Sequence, residues 1–356
     1  CLNWLFGTAL WLPVRGACAA LGETISHQAR ASLTRGRFDG GSGSQSLGDE
    51  QHGLSGVGAN DGDAGYGMLQ NYYIAGRPEL LTAALDFCYF WADIMVDHTD
   101  FTVRQWVGGW GWKTCAYTKF RDVLFGYLET GDPYLLDTAE MAAEGHWAWY
   151  RANWPRSAIG RDNFELGGWA LMWRFLQTEH ARERTLELVR MTATVLDSRG
   201  SIGGQMGAGP HPGYVSALYM TAVTLMALCE VSQAVIESGD RAATDRILQA
   251  MRQLHRHYLR DDMSIFPSNP EQVRARWHEH NSRLWALPAL RVYPEMARFQ
   301  GQHDATTRAG LEKAFQTLDS PPKDWRTCSR PVMFYANPMY AAALLLGARL
   351  AGQGLS

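Results

Sequence analysis

One short phrase returns along the chain and limits what it can fold into. Over residues 125–143 an apolar run at helical spacing stops at Thr130, Gly131-Asp132-Pro133 follows, and a second apolar run begins at once. A glycine ends a helix by taking a left-handed conformation. An aspartate then favours the N-terminus of the next helix, and proline fits its first turn. The phrase therefore spells helix, tight turn, helix. Relatives occur at Tyr73–Leu80 around Gly76, at Ile236–Asp240 around Gly239, at Phe299–Asp304 around Gly301, and at Leu176–His180, where the glycine is lost. Their spacing of roughly 50–60 residues is that of a repeated two-helix unit with one long loop.

Apolar residues recur at helical spacing over 64–75, 78–96, 112–130, 134–154, 164–178, 181–196, 214–238, 242–259, 282–299, 306–318 and 338–351. Strand signals are few, so the chain is expected to be all-α. The turns within each pair are short, whereas the connections 98–111, 155–163, 197–213, 260–281 and 320–337 between pairs are long. Hairpins set side by side in one rotation sense would put all short turns on one face and all long loops on the other. Long loops on a rigid scaffold carry function. An open solenoid and a closed ring both fit. Irregular loop lengths and about six pairs favour the ring, an (α/α) toroid, since regular solenoids keep tighter repeat lengths. Residues 60–356 would form it, with its N-terminal end expected to be incomplete. Residues 1–59 read as a helix and a Gly/Ser-rich loop left from a longer N-terminal region.

The chain has 356 residues, 46% of them hydrophobic, which is ample for a large core. A net charge of -3 gives no reason to expect a nucleic-acid or membrane-surface partner. The 14 tryptophans can be core residues or stacking faces for sugars, and both readings stay open. The six cysteines show no paired spacing, and Cys88, Cys115 and Cys229 lie in apolar helical stretches where a buried free thiol is expected. The chain starts at Cys1, and its apolar stretch 2–14 lacks a basic flank, so it reads as the remnant of a signal peptide or of a truncated helix. No run is long and clean enough to span a membrane.

The long loops concentrate polar chemistry. The first offers Asp61 and Asp63, then Tyr72, where the acids could be catalytic carboxylates, metal ligands or a helix cap. The second is denser, with Asp97, His98, Asp100, Arg104, Trp106, Trp110 and Trp112. His98 there could cap the preceding helix C-terminus, yet the cluster exceeds what capping needs. The third carries Arg161, Asn163 and Glu165: Asn163 as a helix cap and Glu165 favoured by the helix dipole, or Arg161 and Asn163 as binders of a carboxylate. The fourth is glycine-rich without the strand context of a nucleotide site. It ends in His211 and Tyr214, either a solvent-facing His beside a core Tyr or a base and acid pair lining a cleft. The fifth brings His278, His280 and Arg283 together. A His-x-His pair could bind metal, but no further ligand spacing supports that, and substrate contact is the expectation. Tyr335 stands in the last loop. No cofactor is implied.

The hairpins around Gly131-Asp132-Pro133, with Trp- and His-bearing loops, resemble the α/α-toroid carbohydrate-active enzymes. Asn60-Asp61 together with Met95-Val96-Asp97-His98 is similar to the toroid domain of exo-acting rhamnogalacturonan-lyase-like proteins, with an incomplete acidic pattern. Residues 160–171 resemble an "RE-x-GW-x-L" element of related toroids with an insertion. Residues 106–112 resemble the "W-x-R-G-x-GW" element of unsaturated glucuronyl hydrolases, with Gly in place of Arg. The resemblance covers most of 60–350 and implies the toroid fold, a poly- or oligosaccharide substrate and a periplasmic or secreted setting.

Two mechanisms follow. A lyase needs a base that takes the proton beside a uronate carboxylate, and an acid for the leaving oxygen. It also needs Arg, Asn or His to neutralise that carboxylate. His98, His211 and Tyr214 suit the first roles; Arg104, Arg161 and Asn163 suit the second. A hydrolase needs paired carboxylates, one protonated, for which Asp61, Asp63, Asp100 and Glu165 are candidates. The lyase is the expectation, the hydrolase the alternative, and a non-catalytic glycan-binding repeat protein a third reading.

Overall fold

The structure is a computed structural model. It describes residues 78–104, 113–114, 118, 120–155, 158, 165–199 and 217–258, with residues 65, 66, 69, 72, 73, 76 and 312. These residues are all-α apart from a two-residue ribbon, and they belong to two compact units that divide at Trp149/Tyr150.

In the first unit Gly65, Tyr66, Leu69, Tyr72 and Tyr73 are helical. Helix α1 (Pro78–Phe90) runs into a π-helical turn, Trp91–Met95. Strands β1 (Val103–Arg104) and β2 (Lys113–Thr114) pair antiparallel, with Val103 opposite Thr114. Helix α2 (Phe120–Thr130) and helix α3 (Pro133–Ala152) form the next hairpin, the last turn of α3 reaching past the unit boundary. The expected helix over 112–130 is therefore shorter. Glycines at 108, 109 and 111 disfavour helix, and β-branched Val103 and Thr114 suit the ribbon.

The second unit holds two hairpins. Helix α4 (Leu166–Leu176) is followed by α5 (Glu179–Arg199), and α6 (Ala217–Ser238) by α7 (Arg241–Tyr258). Helix α4 packs on α5 and α6, α6 packs on α7, and α5 packs on α7. The first eight residues of α4, Leu166–Trp173, are all buried. Helices α5 and α7 instead expose charged faces, the pattern of helices with one wet side.

The turns follow the sequence closely. Gly76, Gly131 and Gly239 have φ of 67°, 72° and 74°, and Gln177 takes the same left-handed place at 54°. Each donates its N–H to the carbonyl four residues back, Tyr72, Tyr127, Trp173 and Val235. Asp132 Oδ1 accepts from Tyr134 N at 3.0 Å, Thr178 Oγ1 from Ala181 N at 3.3 Å, and Asp240 Oδ1 from Ala243 N at 3.0 Å, so each helix that follows is capped.

A second layer of regularity is tertiary. Asp132 Oδ2 accepts from Tyr89 Oη at 2.7 Å, and Asp240 Oδ2 from Arg182 Nη2 at 3.1 Å. The capping aspartate thus uses one oxygen for its own helix and the other for the preceding hairpin. The residue two before the left-handed glycine repeats the pattern. Glu129 accepts from Tyr73, three before Gly76, and Glu237 accepts from Arg174, three before Gln177, at 2.9 Å. The same positions of the repeat staple neighbouring hairpins in both units.

Trp91, Trp147, Trp169 and Trp173 are buried, and Trp154 is 40% exposed, so the described tryptophans are mainly core. Cys88 and Cys229 are buried free thiols, as expected.

Candidate functional site

The second long loop is the expected site the structure describes best. Its first part is a tight excursion closed by a bridge between Val96 and Val103. Asp97 N donates to Thr102 O at 2.9 Å, and Phe101 N to Asp97 O at 2.6 Å. Two short aspartate motifs stiffen it. Asp97 Oδ1 accepts from Thr99 N and Oγ1 at 3.1 and 2.6 Å; Asp100 Oδ1 accepts from Thr102 N and Oγ1 at 3.1 and 2.6 Å. Phe101 is left-handed at φ 54°. Its carbonyl lies where only glycine fits on α3, since a Cβ on Gly145 would stand 2.6 Å from Phe101 O.

His98 is exposed on this loop. Its Nε2 lies 2.8 Å from Ala92 O, within the π-helical turn. A carbonyl only accepts, so Nε2 carries a proton, and in the neutral form of the ring the lone pair is on Nδ1. The ring lies parallel to Tyr134, 6.5 Å between centroids, and edge-on to Phe101 at 6.1 Å. Tyr134 Oη donates to Asp93 Oδ1 at 2.5 Å. Partial burial and then that bond push the Tyr134 phenol up to about 12. The helix-capping part expected of His98 is thus present, and its basic nitrogen stays available.

This placement corrects one expectation. Tyr134 is in the first turn of α3, directly after the Gly131 turn, so in the first unit a long-loop residue meets a short-turn end. The two classes of connection are not segregated there, because the chain leaves the π-helical turn and folds back along α3 from Tyr134 to Gly145.

Behind the loops lies a buried polar group that sequence reasoning missed. Arg121 and Asp122, in the first turn of α2, are both fully buried. Asp122 Oδ1 accepts from Tyr66 N at 2.7 Å, and its backbone carbonyl accepts from Cys88 Sγ at 3.0 Å. Burial, and then the charge of Asp122, push the Cys88 thiol well up. Arg121 stands 6.0 Å over the Tyr66 ring, and His146 lies 6.2 Å from Phe120. Gly65 allows this approach, since a Cβ there would stand 3.1 Å from Cys88 Sγ. Without solvent access these groups cannot meet a ligand; they anchor the helix starts. In the sequence "FRDVLFGYLET" Arg121 and Asp122 read as an ordinary charged first turn. Only the fact that Phe120–Gly126 is buried all round reveals their place.

Among the other candidates, Asp100 is exposed beside His98, and Arg104 lies in β1 just beyond. Tyr72 is half-buried against Tyr73, 5.5 Å between rings. Glu165 is fully buried before α4, where its side chain makes no capping bond. Asp61, Asp63, Trp106, Trp110, Arg161, Asn163, His211, Tyr214, His278, His280, Arg283 and Tyr335 lie outside the described residues. Among the described residues no group of three His, Cys, Asp or Glu could hold a metal ion, and no helix is long and apolar enough to cross a membrane. No protein-family model matches the chain, and no curated protein matches it.

Proposed function

We propose that this chain is an α/α-toroid carbohydrate-active enzyme that cleaves a uronate-containing polysaccharide or oligosaccharide by β-elimination. The observation that carries this reading is the orientation of His98. An exposed imidazole whose Nε2–H is held by Ala92 O presents Nδ1 as an acceptor, which is what a base needs to take a proton beside a carboxylate. The stiff loop of Asp97 and Asp100 and the Tyr134 face hold that ring in one orientation. In the elimination, His98 Nδ1 takes the proton on the carbon next to the uronate carboxylate. A carbon–carbon double bond forms, and the bond to the glycosidic oxygen breaks, that oxygen leaving with a proton from water. Arg104, a few residues further along the same loop, is assigned to the substrate carboxylate, where it offsets the developing enolate charge.

The test is incubation of the purified chain with polygalacturonate and other acidic polysaccharides, following near-ultraviolet absorbance and reducing ends together. Both should rise. His98→Gln, which keeps a donor for Ala92 O, should lower the rate by about 10²–10⁴-fold, the contribution of a positioned base, with an unchanged melting curve. New ends without absorbance would replace the lyase with a hydrolase acting through carboxylates. Full activity in His98→Gln would remove His98 from the mechanism.

A further inference from the structure

We propose that the π-helical turn Trp91–Met95 is a positioning device for His98: it empties the carbonyl of Ala92, and that carbonyl divides the two ring nitrogens between the protein interior and solvent. The use made of Nδ1 rests on the elimination reading; the geometry does not.

The device is one hydrogen bond out of α-helical register. At the end of an α-helix Val96 N would donate to Ala92 O, the carbonyl four residues back. Here it donates instead to Trp91 O, at 3.2 Å. Val96 itself is extended, at φ −80° and ψ 130°, and enters the bridge with Val103. The next N–H along, that of Asp97, goes to Thr102 O at 2.9 Å. Both backbone donors that could have reached Ala92 O from beyond the turn are thus used elsewhere. Ala92 is fully buried, so bulk water cannot replace them, and a buried carbonyl without a donor is costly. His98 Nε2, 2.8 Å away, supplies that donor from a side chain that is otherwise exposed. Turning the ring over would set a C–H against Ala92 O, and the other neutral tautomer would set a lone pair against it. Either change strands the carbonyl, so His98 presents Nδ1 outward, and in the neutral ring that atom is an acceptor. The next residue of the same turn fixes the plane of the ring. Asp93 Oδ1 accepts from Tyr134 Oη at 2.5 Å, and the Tyr134 ring lies within 18° of parallel to the imidazole. The dependence is mutual: without a donor from residue 98, Val96 N is the nearest replacement, and the turn returns to α-helical register.

The experiment is NMR on the isotope-labelled full chain, at a pH where His98 is neutral. Long-range proton–nitrogen spectra read the tautomer, the His98 signals being identified by their loss in His98→Gln. Couplings across hydrogen bonds read the acceptor of Val96 N. The Nε2–H form should exceed the Nδ1–H form by at least about tenfold, the ratio expected where the second form strands a buried carbonyl. His98→Ala should move Val96 N from Trp91 O to Ala92 O, whereas His98→Gln, which keeps a donor, should leave it on Trp91 O. Asp93→Ala should keep the tautomer, since it does not touch Ala92 O. Comparable populations of the two tautomers, Val96 N still on Trp91 O in His98→Ala, or a lost tautomer preference in Asp93→Ala would each overturn the proposal. A single tautomer with a coupled turn, in a chain that cleaves no acidic glycan, would keep the device and remove the lyase. His98-dependent cleavage with mixed tautomers would keep the lyase and remove the device.

Discussion

The carboxylate of Asp132 is shared between two jobs, and separating them tests why the repeat holds. Oδ1 caps α3 through Tyr134 N at 3.0 Å, and Oδ2 accepts from Tyr89 Oη at 2.7 Å. Losing an N-cap costs about 1 kcal/mol. A hydrogen bond to a charged group contributes about 1.5–3 kcal/mol when buried, and this part-exposed pair should give nearer ~1 kcal/mol. Asp132→Ala should therefore destabilise by about 2 kcal/mol, a fall in midpoint of roughly 4–8 °C at about 2–4 °C per kcal/mol for a unit of this size. Asp132→Asn keeps the capping oxygen and should cost only about half as much, since Asn and Asp cap almost equally. Tyr89→Phe should cost about 1 kcal/mol, and the double variant Asp132→Ala/Tyr89→Phe little more than Asp132→Ala alone. The assay is urea unfolding followed by circular dichroism on the four variants and the unsubstituted chain. Additivity within about 0.3–0.5 kcal/mol would show that the tyrosine link contributes nothing, and the hairpin staple would reduce to a local cap. An Asn variant as unstable as the Ala variant would refute the capping part.

Other outcomes follow from the same physics. Gln177→Gly should stabilise by about 0.5–1 kcal/mol in thermal melts, because a left-handed non-glycine residue is strained by roughly 1 kcal/mol or more and glycine's greater freedom when unfolded returns part of it. Gly145→Ala should destabilise by about 1–3 kcal/mol through overpacking against Phe101 O, and under the proposed elimination should also lower cleavage, since it displaces the His98 loop. Replacing Asp122 by Leu strands the buried N–H of Tyr66 and should cost about 1–3 kcal/mol in chemical unfolding. On the acid side, the Asp240 carboxyl is held below its usual 3.8 by the Ala243 N–H first and then by Arg182, against the opposing effect of burial. A depressed folded value stabilises above the unfolded one and is lost as pH falls through it, so the stability of Asp240→Asn should fall less steeply below about pH 4.

The repeat was legible because its signal is local. Gly76, Gly131 and Gly239 are left-handed for a reason written at each position, and Asp132 and Asp240 cap the helices they precede. Even Gln177 was findable by phase alone, since Thr178 and the apolar runs on either side keep the pattern when the glycine is gone. The staples were not legible. Tyr73 with Glu129 and Arg174 with Glu237 occupy equivalent places, but one donor is a phenol and the other a guanidinium, so no residue identity repeats. Geometry is conserved along the chain where chemistry is not.

The site was half legible for the same reason. The density of Asp97, His98 and Asp100 stood out in the sequence, and these residues do share one loop. What could not be read was the direction of that loop, because it depends on Gly145, more than forty residues away, giving Phe101 room on α3. The partner of His98 is consequently Tyr134, a residue that looked like part of a turn, and not another member of the long-loop face. Arg121 and Asp122 mislead in the opposite sense. Their charge suggests the surface, and their burial makes them the anchor for Tyr66 and the start of α2. A side chain's chemistry shows in the sequence, but its access to solvent is decided by tertiary packing. In this chain the histidine is exposed to solvent, and the arginine and aspartate are not.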